Sequence, residues 1–324
     1  MKIAIILDPL DGIKTYKDTT YSMMVEAAGR GHQLHVLMQD GVMWKRGRVI
    51  GESWRLELTG AESTEHESTG RKERWYHIDL PREEPLSEFD AVLMRKDPPF
   101  DMEYVTATWL LELAGREGAR VFNDPRALRD HSEKLAIAEF PQFTAPTMVT
   151  RLEKQIHAFI DEHADVVVKP LDGMGGAQVF RVTDADPNRN VIVETLTWHG
   201  TRSIMAQRYI PEIRDGDKRV LLIGGEAVPY SLARIPKAGE SRGNLAAGGT
   251  GVARPLSARD KEIAAALGPE LARRGLLLVG LDVIGDYLTE VNVTSPTCFQ
   301  EIREQTGCNV AGLFIDALEK ACAA

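Results

Sequence analysis

GLDVIGDYLTEVNVTSPT, residues 280–297, decides how the chain is read. Two apolar, β-branched runs flank Gly285-Asp286-Tyr287, the pattern of an antiparallel hairpin with a three-residue loop. Folded symmetrically about Asp286, the stretch sets Asp282 opposite Glu290. Strand alternation puts Glu290 and Asn292 on one face. The three side chains then converge as hard oxygen donors. Two carboxylates about 4 Å apart repel by about 4 kcal/mol at an effective dielectric of 20. A cation such as Mg²⁺ offsets that repulsion and keeps positions open for water and phosphate. A solvated polar face of a hairpin has the same spacing, so spacing alone leaves both readings open.

Composition narrows the class. The 324 residues are long enough for two or three domains, and 43% hydrophobic with 27% charged residues is ordinary for a globular chain. A net charge of −9 speaks against a nucleic-acid footprint, so anionic ligands must be met by local Lys and Arg. Cys298, Cys308 and Cys322 form no CxxC or Cys/His pattern, which argues against zinc and for a reducing compartment. The apolar run of MKIAIILDPL is too short for a signal-peptide core and reads as a first strand. No stretch approaches a membrane span. The expectation is a cytoplasmic protein.

Residues 2–8 read as a buried parallel strand, 18–30 as a helix capped by Asp18, Thr19 or Thr20, and 33–38 as a second strand. This βαβ opening predicts a doubly wound α/β domain. The loop after the first strand lacks GxGxxG, which excludes a dinucleotide fingerprint. Residues 44–80 are polar and weakly patterned, and within them AESTEHESTGRKER (61–74) reads as a solvated loop or exposed hairpin rather than a site. The strand 91–94 runs into Arg95-Lys96-Asp97-Pro98-Pro99-Phe100, where α/β sheets bind ligands. Arg95 there fits a site residue or a surface ion pair equally. A helix is expected over 128–140, carrying Lys134, and strands over 164–170, 178–182, 204–210, 218–223 and 227–234. Residues 236–251 read as a mobile Gly/Ala-rich loop, 257–274 as an amphipathic helix and 310–321 as the terminal helix.

Asp172-Gly173-Met174-Gly175-Gly176 lies between two strands, where glycines let backbone N–H groups approach phosphate oxygens. Lys169 ends the strand before it. With Lys134, these residues suit the phosphates of a nucleotide, although each lysine singly is most often solvated. Gln207, Arg208, Tyr209 and Ile210 end a strand where backbone groups can pair with an adenine edge, and an ordinary strand end reads the same way. Arg219 and Arg234 lie in or at the end of apolar strands, where a guanidinium needs an anionic partner. Arg242 either closes over a bound intermediate or is simply exposed. No Ser-His-Asp or Cys-His arrangement is present. Cys298 reads as a small buried hydrophobe, with a place near substrate as the alternative.

Together MRKDPPFD (94–101), VKPLDGMGGA (168–177), DGDKRVL (215–221), ARIPKAGESRGNLAAGG (233–249) and LTEVNVTSPT (288–297) resemble the bacterial glutathione synthetases. The order of the lysines, arginines and the Asp282…Glu290-x-Asn292 set is similar to that of the ATP-grasp superfamily. The resemblance implies a doubly wound substrate domain over 1–123, a central lid over 124–202, and an antiparallel-sheet catalytic domain over 203–324 with a flexible loop at 235–251. It implies that ATP lies between the last two. Lys134, Lys169, Gly173, Gly175 and Gly176 would meet its phosphates, Gln207, Tyr209 and Ile210 its adenine, and Asp217 its ribose or metal. Asp282, Glu290 and Asn292 would hold Mg²⁺, or Mn²⁺ in its place. Arg95 and Ser295 would contact the dipeptide, while Arg219, Arg234 and Arg242 serve catalysis. The implied reaction joins γ-glutamylcysteine and glycine at the expense of ATP through an acyl phosphate, in a homotetramer with no nucleic-acid or membrane partner. Two alternatives stand beside it. One is a ligase for another acid–amine pair, D-alanine or a glutamate tail. The other is an ATP-binding regulatory protein without turnover, which a missing lysine or metal ligand would favour.

Overall fold

The computed structural model describes residues 1–60, 74–240, 243, 245 and 248–323. Arg242 therefore lies outside the described residues, as does nearly all of the polar stretch 61–74.

Three sheets follow one another along the chain. The first contains β1 (Lys2–Ile6), β2 (Gln33–Leu37), β3 (Val42–Lys45), β4 (Arg48–Leu58), β5 (Tyr76–Ile78), β6 (Arg82–Pro85), β7 (Ala91–Met94) and β8 (Val121–Phe122), in the order β3-β4-β2-β1-β7-β8, with β5 and β6 on β4. β1 is parallel to β2 and β7, and β7 to β8. Alternation along β1 feeds two cores. Ile3 and Ile5 pack with Met23, Met24 and Ala27 of α1 (Thr19–Gly29); Ala4 and Ile6 pack with Tyr104, Ala107 and Leu111 of α2 (Met102–Arg116). That is the expected doubly wound arrangement. Asp18 caps α1, accepting from Tyr21 N at 2.7 Å.

The loop or hairpin expected at 61–74 falls, but for Arg74, outside the described residues. Within the weakly patterned residues 44–80, β4 is an eleven-residue strand antiparallel to β2. Its buried Val49, Gly51, Ser53 and Leu56 are interrupted by polar residues that face outward, which hides the alternation.

The second sheet has the order β11-β10-β12-β9, built from β9 (Thr147–Thr150), β10 (Asp165–Pro170), β11 (Phe180–Thr183) and β12 (Ile204–Arg208). β12 lies on the far side of residue 202 in sequence yet is hydrogen-bonded into this sheet. One face is covered by α4 (Glu153–His163) and α5 (Arg189–Thr197). The β-branched run of α5 gives little helical signal.

The expected helix over 128–140 is corrected. Asp124 accepts from Ala127 N at 2.8 Å with Pro125 at the first position, so α3 starts early and spans Pro125–Asp130. His131 is extended and ends it, and Lys134 sits in a turn before a short 3₁₀ segment, Leu135–Glu139.

The third sheet is wholly antiparallel, in the order β15-β14-β13-β16-β17: β13 (Asp217–Ile223), β14 (Glu226–Ile235), β15 (Thr250–Pro255), β16 (Leu278–Ile284) and β17 (Tyr287–Asn292). α6 (Ala258–Arg273), opened by a Ser257–Asp260 capping box, packs on it. α7 (Phe299–Thr306) and α8 (Val310–Ala323) join it to α1. No helix among the described residues is long and apolar enough to cross a membrane.

Asn123 binds the first sheet to the third. Its buried amide donates to Leu278 O and Val293 O, each at 2.8 Å, and accepts from Leu278 N at 2.9 Å. Replacing it leaves three buried backbone groups, two on Leu278 of β16 and one on Val293 just past β17, without partners. Asn123→Ala is expected to cost about 2–4 kcal/mol in urea unfolding, and a loss under about 0.5 kcal/mol would show that water repairs the gap.

Candidate active site

The hairpin pairs Asp282 with Glu290, as expected, but by another route. Its turn has two residues, Gly285 and Asp286, with Ile284 opposite Tyr287 and Val283 opposite Leu288. A bulge at Thr289 adds the missing residue and restores the Asp282–Glu290 pair. The facing confirms it: Leu288, Val291 and Val293 belong to the core, while Thr289, Glu290 and Asn292 line a cleft. Thr289 Oγ1 holds the bulge by donating to Asp282 O at 3.1 Å.

Register then lays charges across the sheet. Arg219 is opposite Asp282, and Asp217 is opposite Arg234. Arg219 grips Asp282 with two bonds, Nε–Oδ1 at 2.6 Å and Nη2–Oδ2 at 3.2 Å. Arg234 Nη2 lies 2.8 Å from Asp282 Oδ2 and 2.6 Å from Asp217 Oδ2. Gly280 makes room, because a Cβ there would stand 2.8 Å from Arg219 Cδ. Burial alone would raise the Asp282 carboxyl, but Arg219 and Arg234 outweigh it and hold the group well below the usual carboxylate range. Asp217 goes the other way. Its Oδ1 is buried without a hydrogen-bond partner among the described residues, and burial with the Asp282 and Glu290 charges, against the pull of Arg234, pushes it up to about 7.

Lys169 approaches from β10 of the second sheet, and Lys134 from the turn before the 3₁₀ segment Leu135–Glu139. Both ammonium groups lie 3.6 Å from Glu290 Oε1, and Lys134 donates to Gly173 O of the glycine turn. Lys169 is buried, and desolvation lowers its pKa despite Glu290. The turn runs further than expected: Gln178 still has φ 58°, so β11 begins at Phe180. Gln207 and Ile210 are buried. Arg181 stacks over the Tyr209 ring at 3.8 Å.

One cleft of about 310 Å³ is lined by Lys134, Lys169, Gly173, Gly175, Gly176, Gln207, Tyr209, Ile210, Asp217, Arg219, Arg234, Asp282, Glu290, Asn292 and Ser295. It lies between the second and third sheets. Arg95 is buried just behind it, donating to Thr20 Oγ1 at 3.1 Å and Pro296 O at 3.0 Å. Ser295 donates to Asp97. Gly243 and Leu245 of the loop also line the cleft, and Gly243 passes against Arg234 O where a Cβ would clash. Cys298 is both buried and on the cleft wall. Pattern reading misses Glu133 and Thr294, which touch each other across the wall. Only the position of Glu133 beside Lys134 points to it.

The donors suit a hard divalent cation. A carboxylate offers about four lone-pair sites, and the two arginines take three of those on Asp282. Asn292 donates its amide nitrogen to Gly280 O at 3.2 Å, which leaves its oxygen as the metal-binding end. Among the described residues no three His, Cys, Asp or Glu group as a metal site; beside Asp282 and Glu290 the further oxygen donor on this face is the Asn292 amide.

Sequence comparison agrees with this geometry. The family model "Prokaryotic glutathione synthetase, N-terminal domain" matches residues 1–129, and "Prokaryotic glutathione synthetase, ATP-grasp domain" matches 133–307. The chain belongs to the prokaryotic glutathione synthetase family. As a member it is an ATP-dependent ligase with the ATP-grasp fold. A glutathione synthetase of Nitrosomonas europaea is 62% identical over 99% of this chain and 98% of its own length. One from Bordetella parapertussis is 58% identical over 99% of both. Among solved structures, the D-cycloserine synthetase DcsG superposes with TM-score 0.65 at 16% identity, covering 99% of this chain and 100% of its own. The ATP-grasp ligase PsnB, complexed with precursor peptide PsnA2 and AMPPNP, gives 0.62 at 16% identity, covering 100% of this chain and 99% of its own. Both share the fold of this family member.

Asp217 sets a pH dependence. Its folded value of about 7 lies above the ordinary 3.8, so its contribution to stability is whole below about pH 3.8 and is lost as pH rises through about 7. Asp217→Asn should flatten the decline in unfolding free energy between about pH 5 and 7, by up to about 1.4 kcal/mol per pH unit. An unchanged slope in urea titrations would reject the assignment.

Proposed function

We propose that the cleft joins γ-glutamylcysteine to glycine, giving glutathione, ADP and phosphate through an acyl phosphate. The observation that carries this reading is the convergence of two lysines, a glycine turn and two acid-bound arginines on one cleft of a family member. The cysteinyl carboxylate attacks the γ-phosphorus of ATP, and the bond to the β-phosphate oxygen breaks. The free amine of glycine then attacks the acyl carbon, gives up one of its two protons as the amide N–H forms, and inorganic phosphate leaves with the acyl–oxygen bond broken. Lys134, Lys169 and the N–H groups around Gly173, Gly175 and Gly176 hold the phosphates; Gln207, Tyr209 and Ile210 take the adenine. Arg219 and Arg234 stabilise charge developing on oxygen in both steps, while Ser295 meets the dipeptide and Arg95 holds the Pro296 carbonyl behind it. Asp282, Glu290 and Asn292 hold Mg²⁺ or Mn²⁺, with Asp217 close by. The metal, when bound, neutralises phosphate charge. Residues 235–251, with Arg242, close over the acyl phosphate and keep water away. The three parts 1–123, 124–202 and 203–324 act as substrate domain, lid and catalytic domain, in a cytoplasmic homotetramer.

ADP release is expected to need all three substrates and to yield a product of glutathione mass. Turnover on a different acid–amine pair only would move the chain to another ligase activity, and ATP binding without turnover would make it a regulatory protein. Lys169→Met should lower kcat/KM for ATP about 10²- to 10³-fold with the fold intact by circular dichroism. Removing residues 236–249 should leave ATP affinity within about threefold while most ATP is hydrolysed without ligation; equal product per ATP would remove the closing role.

A further inference from the structure

Glu133 lines the cleft, yet the ligation chemistry makes no demand on it. Its Oε1 accepts three hydrogen bonds, from Val293 N at 2.9 Å, Thr294 N at 3.1 Å and Thr294 Oγ1 at 2.9 Å. Its own carbonyl oxygen accepts Val291 N at 2.8 Å. Asp217, Asp282 and Glu290 each have a cationic partner in the cleft, whereas Glu133 has none among the described residues. Burial pushes its carboxyl up, against the pull of the Thr294 and Val293 donors. An anion kept there without a counter-ion is costly, and two backbone N–H groups with a hydroxyl form the small anion-binding nest that offsets the cost.

The neighbours explain why the chain keeps it. Lys134, the next residue, reaches Gly173 O on the second sheet and Glu290 on β17. The segment Glu133 grips runs directly into Ser295, which meets Asp97 of the first sheet. A two-residue turn therefore touches the phosphate side and the acid side of the cleft at once.

We infer that Glu133 is a positioning residue, which fixes residues 293–295 relative to Lys134 so that the phosphate lysine and the acid-side wall keep one spacing. The inference rests on the cleft being a ligase site. A slip of about 1 Å between the two walls costs on the order of 10² in rate when two reactants must be aligned. It also gives water time to reach the acyl phosphate before the amine does. The carboxylate acts through the three donors it holds and not on substrate.

Three variants test this in the full-length enzyme. Glu133→Ala should lower kcat about 10- to 100-fold, move KM for ATP less than about threefold, and raise the ratio of ADP to peptide product above one. Glu133→Gln keeps an acceptor oxygen and should recover most of both losses. Thr294→Val removes only the hydroxyl donor and should show the same uncoupling more weakly, which covers the case where Glu133→Ala does not fold. Amide hydrogen exchange at Val293 and Thr294 provides a readout that needs no substrate: faster in Glu133→Ala by more than the loss of global stability accounts for, and near wild type in Glu133→Gln. Wild-type coupling and exchange in Glu133→Ala, or equal damage in Glu133→Gln, overturns the inference. A wild-type enzyme inactive on γ-glutamylcysteine would instead defeat the ligase reading, and the exchange data would still decide Glu133.

Discussion

Asp282 shared between Arg219 and Arg234 is the interaction around which the third sheet is built. Three adjacent strands, β14, β13 and β16, each contribute one of these side chains. A buried carboxylate or guanidinium alone would be untenable, since several kcal/mol of lost hydration per ion must be offset locally. Each member therefore depends on the register that delivers the others. Slipping any of these strands by one residue would turn its charge into the core. The ionic cluster adds little to stability by this logic, but it makes one alignment of the strands far better than its neighbours.

The other two sheets serve that cluster. The second brings Lys169 and the glycine turn toward it, and the first supplies Arg95 and Asp97 from the end of the parallel strand β7. Asn123 spans the first and third sheets by bonding strand backbone directly. The cleft is thus polar at its base and walled by backbone that is already hydrogen-bonded. Such a site can present fixed dipoles to a polyanion without reorganising as charge moves.

Much of this was legible in the residues. The hairpin, β1, α1, α6 and α8 carry strong local signals of period, cap and turn, and the Asp282–Glu290 pairing follows from two flanking β-branched runs. What stayed hidden has physical causes. The helix expected around Lys134 gives way because Asp124 and Pro125 fix an earlier start and His131 an early end. β4 is masked by polar residues on its solvent side, and α5 by its β-branched content. Glu133 is invisible because its partners are backbone N–H groups 160 and 161 residues away in sequence, and a sequence pattern carries no mark of which amides lack acceptors. The sequence pattern also assigned the hairpin a longer loop than it has, and reached the right pair because the bulge made up the difference.

That bulge gives the hairpin a parity. Leu288 and Val291 both face the core although an odd number of steps separates them, which a regular strand forbids. Because the bulge absorbs Thr289, Glu290 and Asn292 look into the cleft; in an unbulged strand that kept Thr289, the same residues would point their oxygens into packed hydrocarbon. The donor set is therefore encoded in the backbone of one bulged residue as much as in the identities of the donors. Any change that irons the bulge out turns the oxygens inward while leaving every donor in the sequence.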